Sequence, residues 1–351
     1  MRLVGDPLPS VPEPISFGRA IRLCRRPPKN RPFAIWHVRR NMEMAAALFA
    51  RDVLRLPIRI VFTSAAQRRH SAVPRRLIAR MDAVVATTQK AASFLDHATA
   101  VAPHGVDTSL FTPAADRRRA WQATGWPGDY GIGIVGRIRE EKGTHLFVEA
   151  MVRVLSEQPG LTAVVIGRAM PGDAAFETSL RRRIEAARLS DRFVFTGEIA
   201  RRAMPEAMRA LSVLAAPALY EGFGLTPLEA MASGAAVVAA DTGAYAQMIR
   251  PNTSGILVPV DDVDALADAI RAITADRTTL DAWGRNARMI VEREFSLDGE
   301  VERIAEVYRE LWRQPRGQLP SEQSPSIEAS QSDDTRIHHH TRPGCRATPT
   351  S

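Results

Sequence analysis

Short apolar runs alternate with longer amphipathic stretches along most of the chain. The pattern is clearest in the second half, where apolar runs at 130–138, 161–167 and 192–197 are separated by helix-like stretches at 144–158 and 178–189. A run of this length fits a buried strand, whereas apolar positions at a spacing of three to four residues fit a helix. Because strands that alternate with helices form parallel sheets, the pattern predicts an α/β fold with doubly wound sheets.

The first half shows the same alternation in a weaker form. Its apolar runs, which predict strands, lie at 32–37, 58–64, 82–88 and 99–105, and its helix-like stretches lie at 41–55 and 75–81. The polar, turn-rich segment 112–128 predicts a domain boundary. A chain of 351 residues exceeds the size of one ordinary core, so we expect two domains.

The charge is divided unevenly between the two halves. Residues 1–125 hold 21 of the 47 Lys and Arg and 8 of the 39 Asp and Glu, a net charge of +13, whereas the rest of the chain carries −5. A basic half can attract nucleic acid, anionic lipid or a phosphorylated substrate, and a solvated arginine-rich surface is the simpler alternative. No zinc-finger spacing or RNA-binding motif favours nucleic acid. The absence of a long apolar run and of a signal peptide predicts a cytoplasmic protein.

The stretch LYEGFGLTPLEAMASG at 219–234 contains a helix start. Thr226 as N-cap, Pro227 at the first helical position and Glu229 three residues after the cap match the capping-box pattern. Capping alone would account for Glu229.

Capping does not account for the acidic and glycine residues just before that helix. Glu221, Gly222 and Gly224 follow the apolar run 211–218, so they lie at the carboxyl end of a predicted strand, where doubly wound sheets bind ligands. Backbone N–H groups of glycines can converge on a ligand, and a helix N-terminus adds positive potential for a phosphate. This turn is therefore a candidate anion site.

A second loop, GRIREEKG at 136–143, follows the first strand of the same half. Arg137 can hold phosphate oxygens through two hydrogen bonds, and Lys142 can add a point charge. Ion pairs with Glu140 and Glu141 are the alternative. Together with the glycine turn, the two cations predict a diphosphate site.

Two other motifs point to cofactors only weakly. Gly131, Gly133 and Gly136 spell the dinucleotide-binding fingerprint, but they fall inside the predicted strand, and the helix starts only after Gly143. His338–His340 stand in a polar tail that is typical of disorder, where adjacent histidines are usually solvated. We expect no bound metal and no cofactor.

The motifs GRIREEKG, VVIGRA, VFTGEI, the paired glutamates of EGFGLTPLE and the DTGAY loop resemble family 4 glycosyltransferases of GT-B fold. In the first half, IWHVRRNMEM, FTSAAQRRHS, MDAVVATT and HGVDTSLF resemble bacterial lipopolysaccharide core mannosyltransferases, which use GDP-mannose. The resemblance implies two Rossmann-like domains that face a cleft.

The resemblance assigns roles at the matched positions. Arg137 and Lys142 would neutralise the donor diphosphate, Glu221 would face the sugar hydroxyls, and Glu229 would bind the ribose. The remaining donor contacts implied are Gly136, Gly222, Phe223, Gly224, Leu225 and Thr226, with the base near Phe195, Thr196 and Gly197.

The first domain would supply the acceptor side. His37, at the end of a predicted strand, would approach the reacting sugar, and a buried, hydrogen-bonded histidine is the equal alternative. Contacts to an anionic, lipid-linked saccharide acceptor at the inner membrane surface are implied for Arg39, Arg40, Arg68, Arg69 and His70.

Fixed cations and N–H dipoles can stabilise the charge that builds on a departing diphosphate, so the resemblance implies retaining transfer without Mg²⁺. The alternatives left open are a UDP-sugar donor, a truncated inactive nucleotide-binding protein and a nucleotide-sugar epimerase of the same fold.

The expected domains are 1–125 on the acceptor side, 126–298 on the donor side, a closing helix at 299–313 and a disordered tail at 314–351. Three features depart from the family pattern. Residues 1–31 lack the usual first strand and glycine-rich loop, so the N-terminal domain is expected to be shortened. Gln247 replaces the usual Glu, and the tail has no counterpart.

Overall fold

The structure is a computed structural model that describes residues 1–7 and 13–314. The predictions for the tail from residue 315 onward, including His338–His340, lie outside the described residues.

The first half folds around a four-stranded parallel sheet in the order β1-β2-β3-β4. Its strands are β1 (Ala34–Val38), β2 (Ile58–Ser64), β3 (Ala83–Ala86) and β4 (Ala100–Val101). Its helices are α1 (Phe17–Leu23), α2 (Asn41–Leu48), which runs into a π-helical turn (Phe49–Val53), α3 (Ala72–Ile78) and α4 (Gln89–Ala92). Strand β2 is buried along its whole length, as expected for a strand covered on both faces.

The second half folds around a six-stranded parallel sheet. Its strands are β5 (Tyr130–Val135), β6 (Leu161–Ile166), β7 (Phe193–Gly197), β8 (Val213–Ala216), β9 (Ala236–Ala240) and β10 (Gly255–Val258). Its helices are α5 (Arg117–Ala123), α6 (Thr144–Leu155), α7 (Ala174–Ala186), α8 (Met204–Ala210), α9 (Leu225–Ala232), α10 (Tyr245–Met248), α11 (Val263–Thr274) and α12 (Arg277–Glu294).

The strand order of the second sheet, β10-β9-β8-β5-β6-β7, reverses between β5 and β8. These two strands pair in register through Ile132 and Val213, although β6 and β7 intervene in the sequence. In open α/β sheets, ligands bind beyond the carboxyl ends of the strands at such a reversal. The loops after β5 and β8 are the two loops for which the sequence predicted a diphosphate site.

The last helix, α13 (Leu297–Arg313), returns to the first sheet, where Val307 and Leu311 pack in a core with Phe33 and Val85. The chain crosses between the two sheets twice, and the two crossing segments are hydrogen bonded to each other. The Val106 N–H donates to the Phe295 carbonyl and the Leu297 N–H donates to the Val106 carbonyl, both at 2.9 Å. The predicted domain limits stay a prediction.

Most predicted elements are present, and helix α5 is an exception with a physical cause. The segment 112–128, predicted as polar and turn-rich, contains helix α5, because Asp116 caps it and Trp121 is buried against Met208 and Leu211 of the second half. Strand β4 is shorter than predicted. The run containing Gly131 and Gly133 is a strand, as predicted.

Those two glycines in β5 serve packing. A Cβ on Gly131 would lie 2.1 Å from the Trp121 ring, and one on Gly133 would lie 2.4 Å from Leu211. No helix among the described residues combines the length and apolarity that a membrane span requires.

Candidate active site

An ion pair joins the loops after β5 and β8. The Lys142 ammonium donates to a Glu221 carboxylate oxygen at 2.5 Å, and the two side chains are 28% and 18% exposed. The other Glu221 oxygen accepts from the Gly222 N–H at 3.0 Å. Because an ammonium has three donors, Lys142 can bind a further anion without leaving Glu221.

Two glycines allow the loop after β5 to approach the loop after β8. Gly143 has φ 70°, and a Cβ there would lie 1.9 Å from the Pro217 carbonyl oxygen. Gly136 has φ 142°, and the aliphatic stem of Lys142 lies 3.9 Å from the position of its missing Cβ. The glycines thus set the course of the loop that presents Arg137 and Lys142.

The glycine turn after β8 is supported by the DTGAY loop after β9. The buried Tyr245 side chain lies beside Gly224, where a Cβ would meet it at 2.6 Å, and Gly243 approaches the Glu221 carbonyl in the same way. Burial, followed by the adjacent Glu221 carboxylate to which the hydroxyl is hydrogen bonded, raises the pKa of Tyr245. Tyr245 therefore stays a neutral support for Glu221.

Helix α9 starts two residues earlier than the sequence predicted. Gly224, at φ 79°, is the N-cap, which places Thr226 inside the first turn and moves Glu229 out of the capping-box position. The prediction of Thr226 as N-cap is wrong because the glycine turn already ends at Gly224. Glu229 consequently has no side-chain hydrogen bond within the described residues, and burial raises the pKa of its carboxyl group.

Arg137 is exposed and forms no ion pair with any residue that the structure describes. The predicted alternative, in which Arg137 and Lys142 pair with the neighbouring glutamates, is wrong: Arg139 approaches Glu141 at 3.7 Å, and Lys142 pairs with Glu221 instead. The Arg137 guanidinium, in the loop after β5, is therefore available to a ligand.

The predicted base-binding segment forms the next edge of the same sheet. Phe195, Thr196 and Gly197 lie at the end of β7, and the Gly167 N–H after β6 donates to the Gly197 carbonyl at 2.9 Å. The Arg181 guanidinium lies over the Phe195 ring, 3.9 Å from its centroid. This edge adjoins Gly136, whose carbonyl oxygen would lie 1.9 Å from a Cβ on Gly167.

On the first sheet, His37 is the last residue but one of β1, and both of its ring nitrogens have a partner. Nδ1 lies 2.5 Å from the Tyr308 hydroxyl and Nε2 lies 2.6 Å from Thr63 Oγ1. Burial and then the Arg39 charge lower the pKa of His37 to about 4, so the imidazole is neutral near pH 7. The sequence left two alternatives for His37, a residue near the reacting sugar or a buried, hydrogen-bonded histidine. The structure shows the hydrogen bonds of the second alternative.

A second histidine, His104, contacts the glycine turn after β8. Its ring meets the buried Phe223 edge-on, with centroids 4.9 Å apart, and its Nδ1 lies 2.9 Å from the Glu300 carboxylate. The sequence analysis gave no role to His104, Glu300 or Tyr308, which the structure connects to Phe223 and His37. The one sign of them in the sequence is that His104 lies near the end of the last strand predicted in the first half, at 99–105.

The predicted acceptor contacts lie on the loops after β1 and β2. His70 Nε2 lies 3.0 Å from Ser64 Oγ, and burial followed by the Arg68 charge lowers the pKa of His70. The Arg39, Arg40, Arg68 and Arg69 side chains are exposed; the ion pairs of Arg40 with Glu43 and of Arg69 with Asp96, each at 3.8 Å, lie near the outer limit for a salt bridge. The loop after β2 adjoins the glycine turn after β8, because a Cβ on Gly222 would lie 3.9 Å from the Ala65 carbonyl oxygen.

This site, on two Rossmann-like sheets, has the organisation of a nucleotide-sugar transferase. The profile of the family described as glycosyl transferases group 1 matches residues 116–289. A Rhizobium meliloti protein named lipopolysaccharide core biosynthesis mannosyltransferase LpsB is 42% identical over 314 residues, which cover 89% of each chain. A Rhizobium leguminosarum protein named lipopolysaccharide core biosynthesis mannosyltransferase LpcC is 45% identical over 82% of this chain and 81% of the relative.

The chain belongs to the group 1 glycosyltransferase family. The C-terminal domain of a Francisella tularensis group 1 glycosyltransferase, LpcC, matches 55% of this chain and all of its own length at 39% identity, with a TM-score of 0.54. Anabaena HepE in complex with UDP matches 84% of this chain at 21% identity with a TM-score of 0.73, which shows the fold alone. The comparisons confirm the expected GT-B fold and the expected class of enzyme, a glycosyltransferase.

Proposed function

We propose that the protein transfers mannose from GDP-mannose to a lipopolysaccharide core acceptor, with retention of the anomeric configuration. The proposal is supported by the relatives named as lipopolysaccharide core mannosyltransferases, which align with most of the chain. The observation that most directly supports the proposed chemistry is the Lys142–Glu221 contact, which joins the loops after β5 and β8 where the strand order of the second sheet reverses.

The donor would lie along the carboxyl edge of the second sheet. Its diphosphate would contact Lys142, Arg137 and the N–H groups that begin α9 at Leu225 and Thr226. Glu229, which no described hydrogen bond occupies, would accept from the ribose hydroxyls. The base would lie by Phe195, Thr196 and Gly197, and the sugar by Glu221 and the Gly222–Gly224 turn.

The arrangement fits a reaction in which the leaving diphosphate gains charge. An ammonium, a guanidinium and helix N–H dipoles at fixed positions stabilise that charge as it develops. Because these groups would supply the positive charge themselves, we propose that transfer needs no divalent metal. His37, neutral and fixed in the first domain, would border the reacting sugar.

The acceptor would bind at the first domain. Exposed Arg39, Arg40, Arg68 and Arg69 would attract an anionic core saccharide, with His70 beside them. Large apolar side chains are also exposed on α1 and on the π-helical turn, among them Leu23 at 55% and Val53 at 63%. Near the basic residues of α1, they would favour association with an anionic membrane surface, the proposed location of a lipid-linked acceptor.

Radiolabelled GDP-mannose incubated with the full chain and lipid A-core acceptors tests this proposal. Product that carries label in an α-linkage supports mannosyl transfer with retention, and activity that persists in chelator supports the metal-free reaction. Transfer from a UDP-sugar instead would replace the donor assignment. Tight GDP binding without product from any core acceptor would favour an inactive nucleotide-binding protein.

A further inference from the structure

Helix α13 carries two polar side chains that reach two histidines of the first domain. Glu300 and Tyr308 lie eight residues apart, which corresponds to about 12 Å along a helix axis. Glu300 reaches His104 and Tyr308 reaches His37. The helix is therefore more than an apolar cover for the first sheet.

Glu300 is a buried carboxylate, only 8% exposed, at the point where the chain crosses between the two sheets. It accepts from the Gly105 N–H at 2.8 Å and lies 2.9 Å from His104 Nδ1. Burial alone would raise the pKa of Glu300, but these two hydrogen bonds, together with the positive charge of Arg39, lower it overall. A buried carboxylate held ionised in this way fixes the orientation of the His104 ring.

The His104 ring supports the glycine turn after β8, where the donor sugar is proposed to bind. It packs against Phe223, which stands between Gly222 and Gly224, the residues proposed to face the donor sugar. A rotation of His104 would remove the edge contact under Phe223. The chain of contacts thus runs from α13 through a first-domain loop to the second domain.

Tyr308 acts on the other histidine. A neutral imidazole has one donor and one acceptor nitrogen, and its tautomer is set by the partners of those two nitrogens. His37 has a hydroxyl at each nitrogen, so loss of either hydroxyl releases the ring from one side. The two partners come from β2 and from α13, elements far apart in the chain.

We propose that α13 is a positioning element for the transfer reaction, in which Tyr308 fixes His37 on the acceptor side and Glu300 fixes His104 beneath Phe223 on the donor side. This inference rests on the proposed function for its kinetic consequence. Neither Tyr308 nor Glu300 would touch the substrate.

Tyr308→Phe tests the first half of the proposal. We expect kcat to fall about tenfold while the donor KM stays within about twofold, because one hydrogen bond that orients His37 is lost while the donor site is intact. The ¹⁵N resonances of the His37 ring should move toward a mixture of tautomers. Tyr130→Phe is the matched control, since it removes a hydroxyl that donates to Gln158 at 2.8 Å in the second half.

Glu300→Gln tests the second half. The amide accepts through its oxygen alone, so His104 and the Gly105 N–H can no longer both be bound as they are by the carboxylate. We expect the donor KM to rise about fivefold with a smaller change in kcat, and the ring resonances of His104 to move. Glu302→Gln, an exposed change on the same helix, is the control.

The ring resonances decide the positioning independently of activity. If the wild-type chain transfers no mannose, the proposed function fails, while shifted His37 and His104 resonances in the two variants would still support positioning. Positioning is overturned if the variants leave these resonances unchanged, or if an active enzyme shows the same kcat and KM in each variant as in its control. If Tyr308→Phe lowers the melting temperature far more than its control, Thr63→Val replaces it, because that change releases His37 at its other nitrogen and should lower kcat in the same way.

Discussion

The carboxyl edges of the two sheets carry different chemistry. The edge of the second sheet presents charge: a Lys142–Glu221 pair, an unpaired Arg137 within the described chain, and a helix start preceded by glycines. The edge of the first sheet presents hydrogen bonds around the neutral His37 and a buried carboxylate, Glu300, that contacts His104. Its positive charges are exposed on the surrounding loops, at Arg39, Arg40, Arg68 and Arg69. The difference fits the roles proposed above, charge stabilisation in the second domain and positioning in the first.

The two edges also differ in how they are built. The second edge is made by short loops whose close approach requires glycine at Gly143 and Gly224. The first edge depends on a helix that arrives from the end of the described chain. Substitutions should therefore affect the second edge through charge and backbone, and the first edge through side-chain orientation.

The largest effect is expected from Lys142→Ala. Removing the ammonium takes away a charge at the proposed diphosphate and leaves Glu221, 18% exposed, without its cation, so kcat should fall about 1,000-fold. Lys90→Ala, on the exposed surface of the first domain, should leave kcat unchanged. A Lys142→Ala enzyme with normal kcat would remove the ion pair from the mechanism.

Gly143→Ala should disrupt the same loop without removing a charge. The added Cβ would lie 1.9 Å from the Pro217 carbonyl oxygen at a φ of 70°, so the loop must shift. We expect a loss of more than about 1 kcal/mol in the free energy of unfolding, measured by denaturant titration, and about a 100-fold fall in kcat. Gly172→Ala, where no atom lies within 4 Å of the added Cβ, is the control and should be nearly neutral.

Arg137→Ala separates activity from stability. Because Arg137 is exposed and has no described partner, the unfolding free energy should change by less than about 0.5 kcal/mol. Loss of its guanidinium from the proposed diphosphate should still lower kcat/KM about 50-fold. Arg182→Ala, an exposed change on α7, serves for comparison; equal kcat/KM values in the two variants would contradict the assignment.

The smallest effect is expected from Glu229→Gln, and its sign differs between stability and binding. Burial raises the pKa of Glu229 above its ordinary value of 4.5. Ionisation therefore costs folding free energy, and this cost builds up as the pH rises from the unfolded pKa to the folded pKa. The amide removes this cost, so the variant should melt above wild type at pH 7, and the gain should vanish below about pH 4.5. Calorimetry should show GDP affinity about tenfold weaker, because an amide offers one acceptor in place of a carboxylate. Unchanged affinity would contradict the ribose contact.

Local sequence signals predicted the four strands of the first sheet and, in the second domain, the two loops that carry Lys142 and Glu221. Loops that follow buried strands of a parallel sheet meet at one edge, so Lys142 and Glu221 could be brought together without coordinates. The helix start at Gly224 could not be fixed, because Thr226 and Pro227 match an N-cap pattern that the glycine turn overrides. Helix α5 was missed because its apolar content lies mostly in Trp121.

Contacts between distant parts of the chain had no local signal. His37 and Tyr308 are 271 positions apart, and His104 and Glu300 are 196 apart. In the sequence, α13 shows only the amphipathic pattern of a surface helix, which indicates that it packs but does not identify its partners. Long-range pairing of polar side chains is decided by tertiary packing, and the structure was needed to find it.

A crystal structure of the full chain with GDP tests the central claim most directly. The account predicts that the diphosphate lies at the reversal between β5 and β8, within hydrogen-bond distance of Lys142 Nζ, the Arg137 guanidinium and the first N–H groups of α9. A diphosphate bound elsewhere, or one bound there with both cations turned toward solvent, would contradict it.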